Sequence, residues 1–189
     1  MASKTFFKLR GYLVLPPLVV AMLNTRWETE EEWVVWGVGG ALFLLALALR
    51  VWAQTHLCYR LPLHKPLATT GPYHYTRNPI YMANTMLVVA LVWLMEDCWL
   101  AAPTVLYCAL VYSAVIRYEE QRLLVNFGPA YRQYAASVPR WGWRLPGGAG
   151  RRLAALHPLL VPALLAEVHC LLFLVLPAAK ELWLYRKEW

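Results

Sequence analysis

The chain has 189 residues, 60% of them hydrophobic and only 15% charged, which is too apolar for a soluble domain of this length and places it in the membrane class. Its net charge of +7 is explained by topology and anionic lipid headgroups, so no nucleic-acid partner is invoked. Cys58, Cys98, Cys108 and Cys170 form no CxxC pair and have no histidine at metal-ligand spacing, so they read as buried reduced thiols, with neither a disulfide framework nor a metal site.

Five apolar stretches follow in chain order, at about 7–24, 33–51, 79–95, 99–116 and 153–179, where a spanning helix needs roughly 17–25 residues. The first carries Pro16-Pro17 and reaches full length only if Lys8 and Arg10 snorkel to the headgroups. A cleaved signal peptide is the rival reading there, but no small-x-small site follows Met22. In the second, Gly37, Gly40 and Ala41 read as close helix packing, not as part of a cofactor glycine motif with Gly39. Pro66 and Gly71-Pro72 forbid a continuous helix in the segment 60–79. Pro79 suits the first turn of the third span, with Asn78 as its N-cap. The fourth span is expected to continue as a helix past the bilayer to Phe127, where Gly128-Pro129 breaks it within a second polar segment, 117–145. Glu167 lies near the middle of the fifth span with His169 two residues on. An ionisable residue at that depth is a functional-site hypothesis, and the alternative is a glutamate that is protonated or bonded to a neighbouring helix.

The expected fold is an all-α integral membrane protein, one domain over 1–189 with five transmembrane helices. Lys4, Lys8, Arg10, Arg50, Arg60, Lys65, Arg77, Arg117, Arg122, Arg132, Arg140, Arg144, Arg151 and Arg152 fall on one side, fourteen of the 18 cations. The other side holds Arg26, Lys180, Arg186 and Lys187, beside the acidic run Glu28, Glu30, Glu31 and Glu32 and the pair Glu96-Asp97. The positive-inside rule then makes the N-terminus and both polar segments cytosolic, with the C-terminus opposite.

Two blocks in those segments carry the chemistry. In the first, loop N–H groups, a helix N-terminus and Arg77 meet before span three, a ready site for a carboxylate or phosphate. The bland alternative is a snorkelling Arg77 within an interfacial belt of Tyr73, Tyr75 and Tyr81. In the second, Glu119 and Glu120 lie just beyond the bilayer, level with the first block. They either pair along their own helix with Arg117 or Arg122, worth a few tenths of a kcal/mol, or join the arginines in binding a zwitterion.

The two blocks resemble those of the isoprenylcysteine carboxyl methyltransferase and phospholipid methyltransferase superfamily. Leu67, Thr69, Gly71, Pro72, Tyr73, Arg77, Asn78, Pro79 and Tyr81 match its first pattern, and Glu119, Glu120, Leu123, Phe127, Gly128, Tyr131, Tyr134, Val138, Pro139 and Arg140 its second. The resemblance covers 65–141 closely. It implies S-adenosyl-L-methionine as cofactor, in a cytosol-facing pocket built from the loop before span three and the helix and loop after span four. Leu67, Thr69, Gly71, Tyr73, Arg77, Asn78, Pro79, Tyr81, Glu120, Tyr131 and Arg140 would bind it. Glu119, Glu120 and Arg77 would serve catalysis, and Tyr134 and Glu167 would face the acceptor. Many relatives have histidine at Asn78 and near Lys65; asparagine can donate a hydrogen bond but cannot act as a base, so Asn78 is assigned to binding only. The implied acceptor is lipophilic, a prenylcysteine-type carboxylate, lipid amine or thiol entering from the bilayer.

Methyl transfer from a sulfonium needs donor and acceptor held in near-attack geometry with water excluded, and no metal. No Gly-x-Gly-x-x-Gly follows a strand, which excludes a doubly wound nucleotide fold. Two other classes remain, an NADPH-dependent membrane ene-reductase of the sterol-reductase type and a non-catalytic adaptor with a decayed site.

Overall fold

The computed structural model describes residues 9, 11–24, 32–57, 66–144 and 160–186. The expected segment parts 7–8, 10, 60–65, 145 and 153–159, together with Cys58 and the acidic run at 28–31, lie outside them. All regular structure among the described residues is helical: α1 (Leu15–Leu23), α2 (Glu32–His56), α3 (Pro79–Leu94), α4 (Ala101–Ser137), α5 (Leu160–Glu167) and α6 (Val175–Tyr185). Three helical stretches, Trp33–Leu57, Cys98–Ser137 and Leu160–Tyr185, are long and apolar enough to cross a membrane. Tyr12–Leu23 and Pro79–Leu94 are shorter apolar helices.

Each boundary has a local cause. Pro16-Pro17 sits in the first turn of α1, where the missing N–H groups are orphans anyway, so the pair opens the helix instead of breaking it. Pro79 opens α3 in the same way. Asn78 does occupy the N-cap position, but its side chain makes no cap bond; its amide donates to the Arg140 carbonyl instead (3.1 Å). At Gly128 the backbone of α4 turns to φ 52°, ψ −122°. The expected break is there, yet the helix resumes through Pro129 to Ser137, because Pro129 falls in the first turn of the resumed segment. The last helical stretch changes to 3-10 geometry over Val168–Leu174 between α5 and α6.

α3 is the central element. Its consecutive run from Leu87 to Val92 is buried all round, which marks a helix enclosed by others. It packs most extensively on α2, then on α4, α1 and α6. The close approach of α2 to α3 is at Gly39, where a Cβ would stand 2.7 Å from Leu94. Gly37 and Gly40, assigned to packing from the sequence, have nothing within 4 Å, so the close approach falls at the glycine between them. Leu44, Leu45, Leu106, Leu110, Leu165, Leu172 and Val175 are exposed, an apolar exterior suited to lipid.

The two ends of α3 differ in chemistry. Beyond Leu94 a tight turn with Glu96 at φ 64° delivers Asp97 into the interior. There it accepts from Asn24 Nδ2 (2.5 Å) and Lys180 Nζ (3.3 Å), while Lys180 also donates to the Met95 carbonyl (2.5 Å). Asp97 and Lys180 are both buried, so this polar staple ties α1, the α3–α4 turn and α6 together. The two motif blocks lie at the opposite end.

Candidate functional site

Two backbone hydrogen bonds and one tyrosine hydroxyl join the blocks before any charge pairing is considered. The Arg77 N–H donates to the Pro139 carbonyl (2.9 Å), the Arg144 N–H to the Tyr75 carbonyl (2.9 Å), and the Tyr134 hydroxyl to the Tyr73 carbonyl (2.7 Å). Tyr75 stacks on Trp143 at 5.1 Å and 7°, with Trp52 at 6.2 Å from both rings. Tyr73 and Tyr81 are buried, so they do not contribute to an interfacial belt. The 3-10 turn Gly71–His74 starts at φ +60°, and a Cβ on Gly71 would lie 2.5 Å from His56 Nε2. Both the dihedral and the contact therefore require glycine.

Arg77 does not snorkel. Its Nη1 lies 3.2 Å from Glu120, and Arg140 donates to the same carboxylate through Nε (3.1 Å) and Nη2. Hydrogen bonding to Glu120 raises the Arg140 pKa above its ordinary value. Glu120 is thus shared between two arginines from different segments, rather than paired along its own helix. Glu119 has a different environment: Tyr81 donates to it (2.8 Å), and no cation of the described residues pairs with it. Adjacent helix residues point about 100° apart, but both carboxylates line one cavity. Burial raises the Tyr134 and Tyr131 hydroxyl pKa values, with the Glu120 charge adding to the effect at Tyr131. Neither the Arg77 Nε nor the Tyr131 hydroxyl completes a hydrogen bond of normal geometry, although both are buried.

The cavity encloses about 820 Å³, within the usual range for small-molecule sites. Leu67, Tyr73, Arg77, Asn78, Pro79, Tyr81, Glu119, Glu120, Tyr131 and Tyr134 line it. Four expected site residues do not. Thr69 lies in the strap before Gly71, Gly71 is pressed on His56, and Arg140 acts on the cavity through Glu120. Glu167 is buried behind Arg50, which donates Nε to it at 2.6 Å; Gln54 Nε2 (3.1 Å) and the Cys170 thiol (3.3 Å) complete its shell.

One face of α3 forms a graded wall, with Asn78, Tyr81 and Asn84 followed by Leu87, Val88 and Leu91. From Asn78 to Leu91 this wall runs about 20 Å at 1.5 Å per residue. Leu18 of α1 and Phe173 of the 3-10 segment close the apolar part. Arg50, Gln54, Asn84 and Asn126 are polar lining residues that the motif patterns did not contain. Asn84, a lone amide in an otherwise apolar helix, was the available signal.

Among the described residues, Glu167, His169 and Cys170 bring donor atoms within 4.8 Å of one another. The Arg50 guanidinium already holds the Glu167 carboxylate, so a cation occupies the place a metal ion would take.

Residues 34–130 match the sequence profile described as phospholipid methyltransferase. The chain is 32% identical over 136 residues to the nickel-cobalt-cadmium resistance protein NccN of Alcaligenes xylosoxydans xylosoxydans, covering 70% of this chain and 62% of that protein. It is 32% identical over 135 residues to the cobalt-zinc-cadmium resistance protein CzcN of Cupriavidus metallidurans, covering 71% and 61%. It therefore spans about three-fifths of the length of these curated relatives. No solved structure matches. The profile match takes in just over half of the chain, including the whole first block and both carboxylates of the second, and the chain belongs to the phospholipid methyltransferase family.

Proposed function

We propose that the protein transfers a methyl group from S-adenosyl-L-methionine to a lipophilic acceptor at the cytosolic face of a membrane. The observation that carries this reading is the continuity of one cavity, charged where the two motif blocks meet and apolar along Leu87, Val88 and Leu91. When bound, the cofactor supplies a methyl carbon on a sulfonium, whose S–C bond breaks as the bond to the acceptor atom forms, leaving a neutral thioether.

The chain's own residues fit such a group. The free Nε of Arg77 and the Tyr131 hydroxyl are donors suited to its carboxylate. Glu119, with one hydrogen bond and no cationic partner among the described residues, suits its ammonium. Glu120 holds Arg77 and Arg140 in place, a positioning role in addition to its charge. Asn78, Pro79, Leu67, Tyr73 and Tyr81 shape the walls, and Thr69 and Gly71 set the strap. Tyr134, whose hydroxyl is bound to the Tyr73 carbonyl, joins the blocks instead of contacting the acceptor. The five apolar stretches all cross the bilayer in this reading, with the N-terminus and the site cytosolic and the C-terminus opposite; Arg117, Arg122, Arg132, Arg140 and Arg144 around the site support that orientation.

The names of the two relatives make metal handling the second reading. Its candidate among the described residues is the Glu167, His169 and Cys170 trio, and the Arg50 contact argues against it. The test is incubation of purified protein with S-adenosylmethionine carrying a labelled methyl and a total lipid extract, followed by identification of the labelled product. Label in a lipid product supports the proposal. Failure to transfer together with no binding of S-adenosylhomocysteine would favour the adaptor with a decayed site, and a shift of the melting temperature by cobalt or zinc ions alone would favour metal handling.

A further inference from the structure

Arg50 is a costly residue at its position. It lies six residues before the end of α2, about 9 Å along the helix axis, and its side chain is only 14% exposed. Such a charge inside an apolar bundle is retained where it serves a pathway or a ligand. Its contacts are one-sided. Nε donates to Glu167 and Nη1 to Asn84, the guanidinium also lies against the Cys170 thiol, and Nη2 makes no hydrogen bond of normal geometry to the described residues, while Arg50 lines the cavity. The supporting groups are themselves fixed: Glu167 accepts from Arg50, Gln54 and Cys170. A carboxylate with both oxygens engaged in this way is a poor proton acceptor and a good positioning residue for the guanidinium.

The level of this edge in the cavity is informative. Asn84 stands one turn of α3 beyond Tyr81, which contacts Glu119, and one turn before Leu87 and Val88. Arg50 therefore divides the charged mouth from the apolar interior. An amphiphile with its tail along Leu87, Val88 and Leu91 would carry its head to the Nη2 edge. A planar guanidinium with free N–H groups selects an oxyanion over an amine.

We propose that the Nη2 edge of Arg50, held in place by Glu167 and Asn84, binds the anionic head group of an amphiphile whose hydrocarbon tail fills the apolar end of the cavity. This rests on the methyl-transfer reading only in taking that amphiphile as the acceptor; the anion site itself stands on Arg50. A cationic acceptor amine would meet Arg50 as a like charge. An anion would be balanced by the net positive charge of a sulfonium cofactor, which couples the two sites electrostatically.

The experiment uses the full chain in nanodiscs of zwitterionic lipid, with empty discs subtracted. Dodecanoate, dodecyl phosphate, dodecylamine and dodecanol are titrated by calorimetry, alongside inorganic phosphate. The two anionic amphiphiles should bind about tenfold or more tighter than dodecanol and dodecylamine, as expected for charge-assisted hydrogen bonds, and inorganic phosphate should not compete. No head-group preference in the unmodified protein would overturn the proposal, and competition by inorganic phosphate would overturn its amphiphile part. Arg50→Gln should abolish the preference, and a preference surviving in that variant would also overturn it. Glu167→Gln provides a second variant with the opposite sign. Glutamine keeps an oxygen to hold the guanidinium while removing the counter-charge, so anion binding should tighten severalfold; unchanged or weaker binding would overturn the role of Glu167 in the site. S-adenosylhomocysteine is titrated in parallel. If it fails to bind while anion selectivity persists, the methyl-transfer reading falls and the Arg50 site stands.

Discussion

Adjacent carboxylates with different partners give a sharp prediction about Glu119 and Glu120. Glu119→Gln keeps the shape and retains an oxygen to accept from Tyr81 (2.8 Å), and it removes no ion pair among the described residues. Stability should then change by less than about 0.5 kcal/mol, as for substitutions away from any buried network. If Glu119 holds the cofactor's ammonium, the lost charged hydrogen bond is worth about 1.5–3 kcal/mol, so S-adenosylhomocysteine affinity should fall about ten- to a hundredfold. Glu120→Gln is different. It leaves Arg77 and Arg140 facing each other without the carboxylate both contact. Breaking a fully buried pair costs about 3–5 kcal/mol; because Arg140 is 38% exposed, solvent screening reduces the expected loss to about 2–4 kcal/mol. Affinity should fall as well, because Arg77 loses its anchor. A melt followed with a thiol-reactive dye is practical, since Cys108 and Cys170 are free and buried and become reactive on unfolding. Calorimetry supplies the affinities. Equal melting temperatures for the two variants, or normal affinity in Glu119→Gln, would refute this division of roles.

At the opposite end of α3, Asp97→Asn should lower stability by about 3–5 kcal/mol by leaving the buried Lys180 unpaired, with S-adenosylhomocysteine affinity unchanged; the double variant with Lys180→Met should recover most of the loss in the same melt. Gly71→Ala should cost about 1–3 kcal/mol from the positive φ and weaken cofactor binding further, because the new methyl would clash with the His56 ring and shift the strap or the ring; wild-type affinity in a folded variant would contradict this. For orientation, a cysteine at Arg132 should be shielded from an impermeant thiol reagent in intact cells and one at Glu181 labelled. The reverse pattern would invert the topology.

Much of the site was legible because its two halves are contiguous in sequence. Arg77 is bracketed by Pro72 and Pro79, and Glu120 follows an apolar span at the length of a bilayer, so both could be placed at one membrane face. Their meeting through Arg77 N–H and the Pro139 carbonyl needed only the two segments to share that face. The Arg50–Glu167 pair was not legible in this way. Arg50 falls at the edge of the second apolar stretch and counts among the cytosolic-side cations, but α2 continues as a helix to His56 and keeps it inside. Its partner is 117 residues away, and no local period announces a contact between helices that far apart. Sequence did raise Glu167 bonded to another helix as one of two outcomes, without naming the partner. Gly39 illustrates a smaller failure. Glycines at 37, 39 and 40 all permit close packing, and only the orientation of α2 against Leu94 decides which one is used.

The most direct measurement is a paired titration of the purified, full-length wild-type protein with S-adenosylhomocysteine and with NADPH, followed by thermal shift and calorimetry. A methyltransferase with the site described here should bind S-adenosylhomocysteine at one site per chain, raising the melting temperature, and should ignore NADPH. Binding of NADPH without S-adenosylhomocysteine, or of neither, would contradict it.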